Sequence, residues 1–559
     1  MKKCKKMDDE KIKREKEKWE KKFEDARERD MKFQTDSGIP LKRLYTPLDV
    51  KGDYLEKIGF PGQPPYTRGA YPTMYRGRIW TMRLFSGHGT PEETNERWKF
   101  LYKHGETGFS AAVDALTFNG IDPTNEDGAA EVGTSGVPLY CIDNLFALTK
   151  DVPIDKISVA LIVEPFTSAP VCSMYFNMAK KKGYDIKNLM GTTQNDILTM
   201  TVGFIPYKNV PPNHLLRLAC DFIEWTVPMG NVPKWHPINF TGYNYREGGI
   251  DAVQELGFVF ASACSHIDNL IGRGWKVDDF VNRLAFHLSA HKDFFEEIAK
   301  YRAARRIWAK LMKDRYNAQD PRSMQFRFHV QTAGSSLTAQ FPKVNIIRTS
   351  IQALEATLGG CQSLHTNSYD EAICLPSEEA ALIALRTQQV IADETRIANT
   401  VDPMAGSYYV EWLTDEIEER VWDYMEKMEK VGSIDKALST GWLYKEMRDA
   451  FHKRQKRMER GEEISLGVNK YPVPYDEVTD VFRTNDEAMK IEIERIKNLK
   501  KRRDNKKLEN ILDKLRRVCE KEENVMPVVM EATKEGATIG EICDVYREIW
   551  GIWEPPLAI

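Results

Sequence analysis

The stretch Phe326-Arg327-Phe328-His329-Val330-Gln331-Thr332-Ala333-Gly334 decides the reading of this chain. A short apolar run, Phe326–Gln331, carries a histidine and a glutamine at its end and passes into small residues. Gln362-Ser363-Leu364-His365-Thr366 follows the same plan further on. Earlier runs of this kind are Phe109–Leu116, Ile157–Val163 and Ile238–Tyr243. Helical patterns lie between them, among them Asp251–Ile271 and Val277–Leu311. Alternation of strand and helix from about residue 107 to 380 predicts a parallel sheet. Its length suits a (β/α)8 barrel at least as well as an open doubly wound sheet. No GxGxxG follows a strand and no GxxxxGK[ST] occurs, so a dinucleotide or P-loop site has no support.

Outward from this region, Thr90-Pro91-Glu92-Glu93 is a capping box that starts a helix, with Trp98, Leu101 and Tyr102 as its apolar face and Gly105 as its end. Residues 38–80 are rich in Pro, Gly and Tyr and read as extended loop. Residues 1–37 read as a charged helical arm, with Trp19 and Phe23 four apart as a narrow apolar stripe. Residues 38–400 are assigned to the barrel region and 401–559 to a helical C-terminal extension. The 80 Lys+Arg and 83 Asp+Glu give a net charge of −3, which argues against a dedicated nucleic-acid binder. No apolar run is long enough to span a bilayer, and no apolar stretch follows the N-terminal lysines as in a secretory signal. The nine cysteines are dispersed, with no CxxC pair, which suggests reduced thiols and a cytoplasmic location.

His287 and His291 are spaced to share one helix face, but position 288 is Leu and no third ligand is indicated, so no metal site is assigned. His329 and His365 instead sit at strand ends, where a barrel places its active site. Polar segments at comparable positions are 191–196 (Gly-Thr-Thr-Gln-Asn-Asp), 239–244 (Asn-Phe-Thr-Gly-Tyr-Asn) and 362–371. They offer many hydrogen-bonding groups and no nucleophile–base arrangement. Such a site suits the positioning of a reactive cofactor.

These segments, with Tyr66-Thr67-Arg68-Gly69-Ala70-Tyr71-Pro72-Thr73-Met74-Tyr75, Trp80-Thr81-Met82-Arg83, Pro233-Lys234-Trp235, Tyr301-Arg302-Ala303-Ala304-Arg305 and 362–372, resemble the large subunit of the methylmalonyl-CoA mutase family. The resemblance runs from about residue 38 to the C-terminus. It implies an α/β fold, a (β/α)8 TIM barrel with acyl-CoA along its axis and adenosylcobalamin across its C-terminal face. Homolysis of the cobalt–carbon bond then yields an adenosyl radical, and the substrate radical rearranges. The resemblance implies coenzyme A contacts at Tyr71, Thr73, Met74, Thr81, Arg83, Thr192, Gln194, Lys234 and Arg283. It places Gln331, Asn367 and Glu371 at the adenosyl group, and His329 and Glu247 on the cobalamin side. The family's cobalamin domain carries Asp-x-His-x-x-Gly. The last histidine here, His452, lacks that context, so a separate small cobalamin-binding subunit is expected, in a heterotetramer or similar assembly.

Departures from the family pattern bear on the substrate. Phe85 stands where methylmalonyl enzymes have Tyr, and is the residue type of the isobutyryl-CoA mutase branch. Phe204 aligns with the Arg that holds a substrate carboxylate, unless a gap brings Lys208 there. Ala112 stands where the 2-hydroxyisobutyryl branch places an acid. Asn244, beside Tyr243, replaces a His within reach of the thioester carbonyl, and Ala285 replaces a Ser. Phe85, Tyr243 and Asn244 are the residues expected at the reacting atoms. The expectation is a branched, largely apolar acyl-CoA as substrate. The alternatives are methylmalonyl-CoA mutase itself and a non-catalytic acyl-CoA-binding scaffold.

Overall fold

A computed structural model describes residues 2–125, 132–199, 209–474 and 487–556. Its strands are β1 (Thr81–Met82), β2 (Phe85–Ser86), β3 (Gly108–Ala112), β4 (Ser158–Ile162), β5 (Gly191–Thr193), β6 (Trp235–His236), β7 (Asn239–Thr241), β8 (Ala285–Ala290), β9 (Phe328–Thr332) and β10 (Ser363–His365). Every pairing is parallel, in the orders β1-β10-β9-β8-β7 and β2-β3-β4-β5-β6.

Two short interruptions join these sheets into one ring. β1 and β2 are the two ends of a single segment broken at Arg83 and Leu84; one end pairs with β10 and the other with β3. β6 and β7 are likewise one segment, broken at Pro237, which has no N–H to donate. Arg83 N still bonds Leu364 O at 3.0 Å, and Asn239 N bonds Gln194 O at 3.0 Å, so neither joint opens. The strands therefore fill eight positions around a ring. A helix follows each position, from Pro91–Lys103 after β2 to Glu378–Gln389 after β10. This is a (β/α)8 barrel.

Local sequence accounts for the element boundaries. Thr90 caps its helix, and Glu93 accepts the Thr90 N–H at 2.7 Å, as the capping box requires. Asp251 caps the helix Ala252–Gly272 in the same way. Gly191 lets β4 and β5 close over a tryptophan: a Cβ there would sit 2.2 Å from the Trp235 ring.

The expectation of continuous helix over Val277–Leu311 fails. Ala285–Ala290 is strand β8, and the helix begins at Phe294 with Asp293 as its cap. Residues 285–290 alternate with period two. Phe286 packs outward on Phe326 at 4.2 Å and Trp308 at 4.9 Å, while His287 is in register with His329 on the inner face. His287 and His291 therefore share no helix face: the first is inside the barrel and the second lies just past the strand. Among the described residues, no group of three or more His, Cys, Asp or Glu could hold a metal ion.

The C-terminal part is helical, from Tyr408–Val431 to Ile539–Trp550. Tyr408–Val431 packs on the barrel helices Ala252–Gly272 and Phe294–Lys310, and Met526–Lys534 packs on Pro165–Lys181. Arg306 ties the first of these to the barrel through Asp415 at 2.5 Å and Glu418 at 2.6 Å. At the other terminus, helix Lys2–Lys22 turns Trp19 toward Leu41, Tyr45 and Tyr408 across a cleft. Among the described residues, no helix is long and apolar enough to cross a membrane.

Candidate active site in the barrel axis

Parallel register identifies the inward side chains, because paired residues point to the same face. Thr81 pairs with Ser363, Phe85 with Ser110, Ala112 with Ile162 and Ala160 with Thr192. Thr241 pairs with His287, and His287 with His329. Barrel interiors are ordinarily filled by Val, Ile and Leu. Here most are small or polar, Phe85 and Ile162 excepted, and a cavity of about 200 Å³ runs along the axis.

Polar atoms in this interior lack partners. Arg83 Nη1, Thr192 Oγ1, Asn239 Oδ1, His287 Nε2, His329 Nε2 and Gln331 Oε1 are buried and make no hydrogen bond. Buried polar groups are rarely left so, and their convergence on one channel points to a polar ligand. At the N-terminal ends of the strands, Arg283 and Arg327 precede β8 and β9, and Arg327 lines the channel. Burial, then the proximity of Arg327 and Arg322, lowers the Arg283 pKa. Arg83 lies deeper, with Nη2 on Ser158 Oγ at 2.7 Å, and burial lowers its pKa to about 10. A second hollow of about 500 Å³ shares Tyr71, Thr81 and Gln362 with the channel and is also lined by Thr73 and Met74.

Toward the C-terminal ends the chemistry changes. The Phe85 ring stacks on His365 at 4.7 Å and lies 5.8 Å from both His287 and His329. Phe85 N donates to His365 Nδ1 at 2.9 Å, and His329 Nδ1 lies 2.6 Å from Ser363 Oγ. Burial holds His287 and His365 at about 3 and His329 well below the usual value, so all three rings are neutral at pH 7.

Above them is a polar rim. Gln331 Nε2 donates to Asn367 Oδ1 at 3.0 Å, and Asn367 Nδ2 donates to Thr332 O at 2.8 Å. Gly334 brings backbone close to Glu247, Asn367 and Tyr243, whose nearest atoms would lie 3.1, 3.2 and 3.4 Å from a Cβ. Burial raises Glu247 and Glu371 to about 7; for Glu371 the neighbouring Asp370 and Glu247 add to the shift.

The structure thus brings together Tyr71, Thr73, Met74, Thr81, Arg83, Thr192 and Phe85 around the axial space, and Tyr243, Glu247, Gln331, Asn367 and Glu371 at the rim. Gln194 faces inward with Nε2 on Thr241 Oγ1 at 2.8 Å. Its neighbours do structural work: Asn195 bonds Ala219 O and Pro237 O, and Asp196 accepts Thr241 N at 2.9 Å and Ser262 Oγ at 2.8 Å. Lys234 is exposed, bonded to Asn188, and does not line the channel. Asn244 is half-buried and does not line it either. Phe204 and Lys208 lie outside the described residues. Sequence reading missed His287, Arg327, His236 and Ser158 as lining residues. An inward position on a strand, or for Arg327 just before one, was the only sign of them.

An axial channel lined by small and polar side chains, with arginines at its mouth and carboxyl and amide groups at its rim, marks this as a barrel enzyme with its site on the axis. The Methylmalonyl-CoA mutase family model matches residues 34–552, and the chain belongs to this family, whose members are isomerases that transfer a group within one molecule. It is similar to the 2-hydroxyisobutanoyl-CoA mutase large subunit of Aquincola tertiaricarbonis, 40% identical over 94% of each chain. It is also similar to methylmalonyl-CoA mutase of Rhizobium meliloti (36% identical, 93% of this chain and 72% of the other). The methylmalonyl-CoA mutase large subunit of Streptomyces virginiae is 35% identical over 94% of this chain and 72% of its own.

Proposed function

We propose that this chain is the catalytic large subunit of an adenosylcobalamin-dependent mutase that rearranges a branched, largely apolar acyl-CoA. The carrying observation is the polarity gradient of the channel. Arginines stand at the N-terminal mouth, where the phosphates of coenzyme A would enter. Phe85, Ala112 and Ile162 stand at the inner end, among neutral imidazoles. A substrate carboxylate there would lose its hydration without gaining a cation from the described residues at that end, at a cost of several kcal/mol, on the order of that for any unpaired buried charge. Apolar branches suit the same walls. The family likeness to a 2-hydroxyisobutanoyl-CoA mutase large subunit supports a separate small subunit. We assign that subunit the cobalamin-binding role and an Asp-x-His-x-x-Gly motif.

The rim residues fit the cofactor's adenosyl group. Gln331 Oε1 is buried without a well-formed bond, and Glu371 has Ser368 but no basic side chain among the groups that shift it. Hydroxyl donors suit both. When bound, adenosylcobalamin would supply radical chemistry. Gln331, Asn367 and Glu371 would hold the adenosyl group, while Phe85 and the histidines wall the reacting space from water. A binding scaffold without chemistry would have no use for this rim.

Two measurements check this reading. Reconstitution with the small subunit and adenosylcobalamin, followed by mass spectrometry of an acyl-CoA mixture, is expected to show conversion of branched apolar thioesters such as isobutyryl-CoA. Rapid exchange of methylmalonyl-CoA with succinyl-CoA would reject it. The second is pH dependence. Glu371 is raised to about 7, so it becomes a full acceptor only as pH rises through that value. Adenosylcobalamin affinity should therefore tighten between pH 6 and pH 8, and Glu371→Gln should flatten the profile. The same shift has a sign for the unliganded fold: a raised carboxyl stabilises below its unfolded pKa, and that contribution is lost as pH climbs toward 7.

A further inference from the structure

His287 occupies the inner face of β8, in register with Thr241 and His329. Three rings fix its orientation. Tyr243 stacks on it at 5.1 Å and 3°, Phe85 meets it edge-on at 5.8 Å and 71°, and His329 lies 4.8 Å away. It is 3% exposed, it lines the axial channel, and its Nε2 makes no hydrogen bond. Of its register neighbours, Thr241 is fully committed and His329 is committed at Nδ1, with only its Nε2 unbonded. Thr241 Oγ1 donates to Asn239 O at 2.9 Å and accepts from Gln194, and His329 Nδ1 is taken by Ser363 Oγ. Among the described side chains, Gln331 acts on the ring as a hydrogen-bonding neighbour, and a buried Nε2 without a well-formed bond is unfavourable unless a ligand completes it.

An apolar branched acyl thioester has one polar atom at its reacting end, the carbonyl oxygen. We propose that His287 is a catalytic residue that donates a ring N–H hydrogen bond to this oxygen, in place of Asn244, which does not line the channel. The inference rests on the acyl-CoA reading of the channel. Burial with His365 close by keeps the ring neutral, so it donates without giving up a proton and holds the same contact throughout the neutral pH range. Tyr243 and Phe85 act on the substrate through this ring, by preventing it from turning away.

The test needs no cofactor and no turnover. Isobutyryl-CoA labelled with ¹³C at the thioester carbonyl is bound to the purified chain, and its C=O stretch is read by isotope-edited infrared difference spectroscopy. A hydrogen bond lowers this frequency. His287→Phe keeps the ring packing and removes the donor. The band is expected to move to higher wavenumber and the dissociation constant to rise about fivefold, the worth of one ordinary hydrogen bond. His287→Gln restores an N–H and should bring the band part of the way back; it also serves if the Phe variant does not fold. A band that stays in place in both variants, or that moves instead in Asn244→Ala, overturns the assignment to His287. Failure of isobutyryl-CoA to bind the wild-type chain at all would overturn the acyl-CoA reading, and this inference with it.

Discussion

Replacing Ala160 by Leu is expected to abolish acyl-CoA binding while leaving the fold at least as stable. Ala160 lies mid-barrel on β4, 2% exposed, in register with Ser110 on β3 and Thr192 on β5. All three face the axis, and a cavity of about 200 Å³ exists because they are small. Three added carbons at this level would occupy the narrow part of the channel. Overpacking ordinarily costs about 1–3 kcal/mol, because a filled core must shift to admit new atoms. Here the atoms enter empty space, and a branched aliphatic is what other barrels place inside. Affinity for isobutyryl-CoA should fall by at least about 100-fold, since the ligand cannot displace a packed side chain without losing the contacts that bind it. Calorimetric titration measures the first effect and a thermal unfolding scan the second. Unchanged affinity would mean that the thioester does not thread the axis.

That channel was only half legible in the sequence. β3, β4, β7, β9 and β10 announce themselves as apolar runs, and Gln331, Asn367 and Glu371 stand out because they follow such runs. β1, β2, β5 and β6 are only two or three residues long and carry few apolar side chains. No periodicity can be read from so short a segment. β8 was misread for a different reason. Its outward Phe286 and Leu288 sit between apolar residues of the flanking segments, and a helical pattern absorbs them. With the strand lost, His287 lost its inward position. The burial of charges in Phe294–Lys310 was not legible either: Lys300, Arg302, Arg305 and Arg306 are all buried. Most of their partners come from segments distant in sequence. Arg305 donates to Thr67 O at 2.8 Å and to Gly359 O at 2.6 Å, holding the loop before the barrel and the turn before β10. Charge pattern alone cannot reveal pairing across such separations.

The largest effect on stability is expected at Lys300. Its side chain is fully buried, and Nζ donates to Glu255 Oε2 at 2.6 Å, to Ser289 O at 2.7 Å and to Glu297. Glu255 in turn accepts Ser289 N at 2.7 Å, so the cluster clamps the end of the strand that carries His287. Arg246 completes it at 2.9 Å from Glu297. Nearby Glu355 is buried with neither carboxylate oxygen bonded, and burial, then Glu297, raises its pKa well above the usual range. Lys300→Met would leave Arg246 to face Glu255 and Glu297 alone. Breaking one side of a buried ion cluster costs about 3–5 kcal/mol, because the remaining charges stay dehydrated without compensation. The pH dependence has a definite sign. Glu297 now lies below its ordinary pKa despite burial, held there by Lys300 and Arg246, and contributes stability that is lost as pH falls. Without Lys300 that depression reverses. Carboxyls with raised pKa values stabilise in acid and lose that contribution as pH rises. The gap in thermal midpoint between wild type and variant should therefore widen from pH 5 to pH 8, and adding Glu255→Gln should recover part of it at pH 8. A gap of constant size across this range would place the cost in lost packing around the lysine stem instead of in unpaired charge.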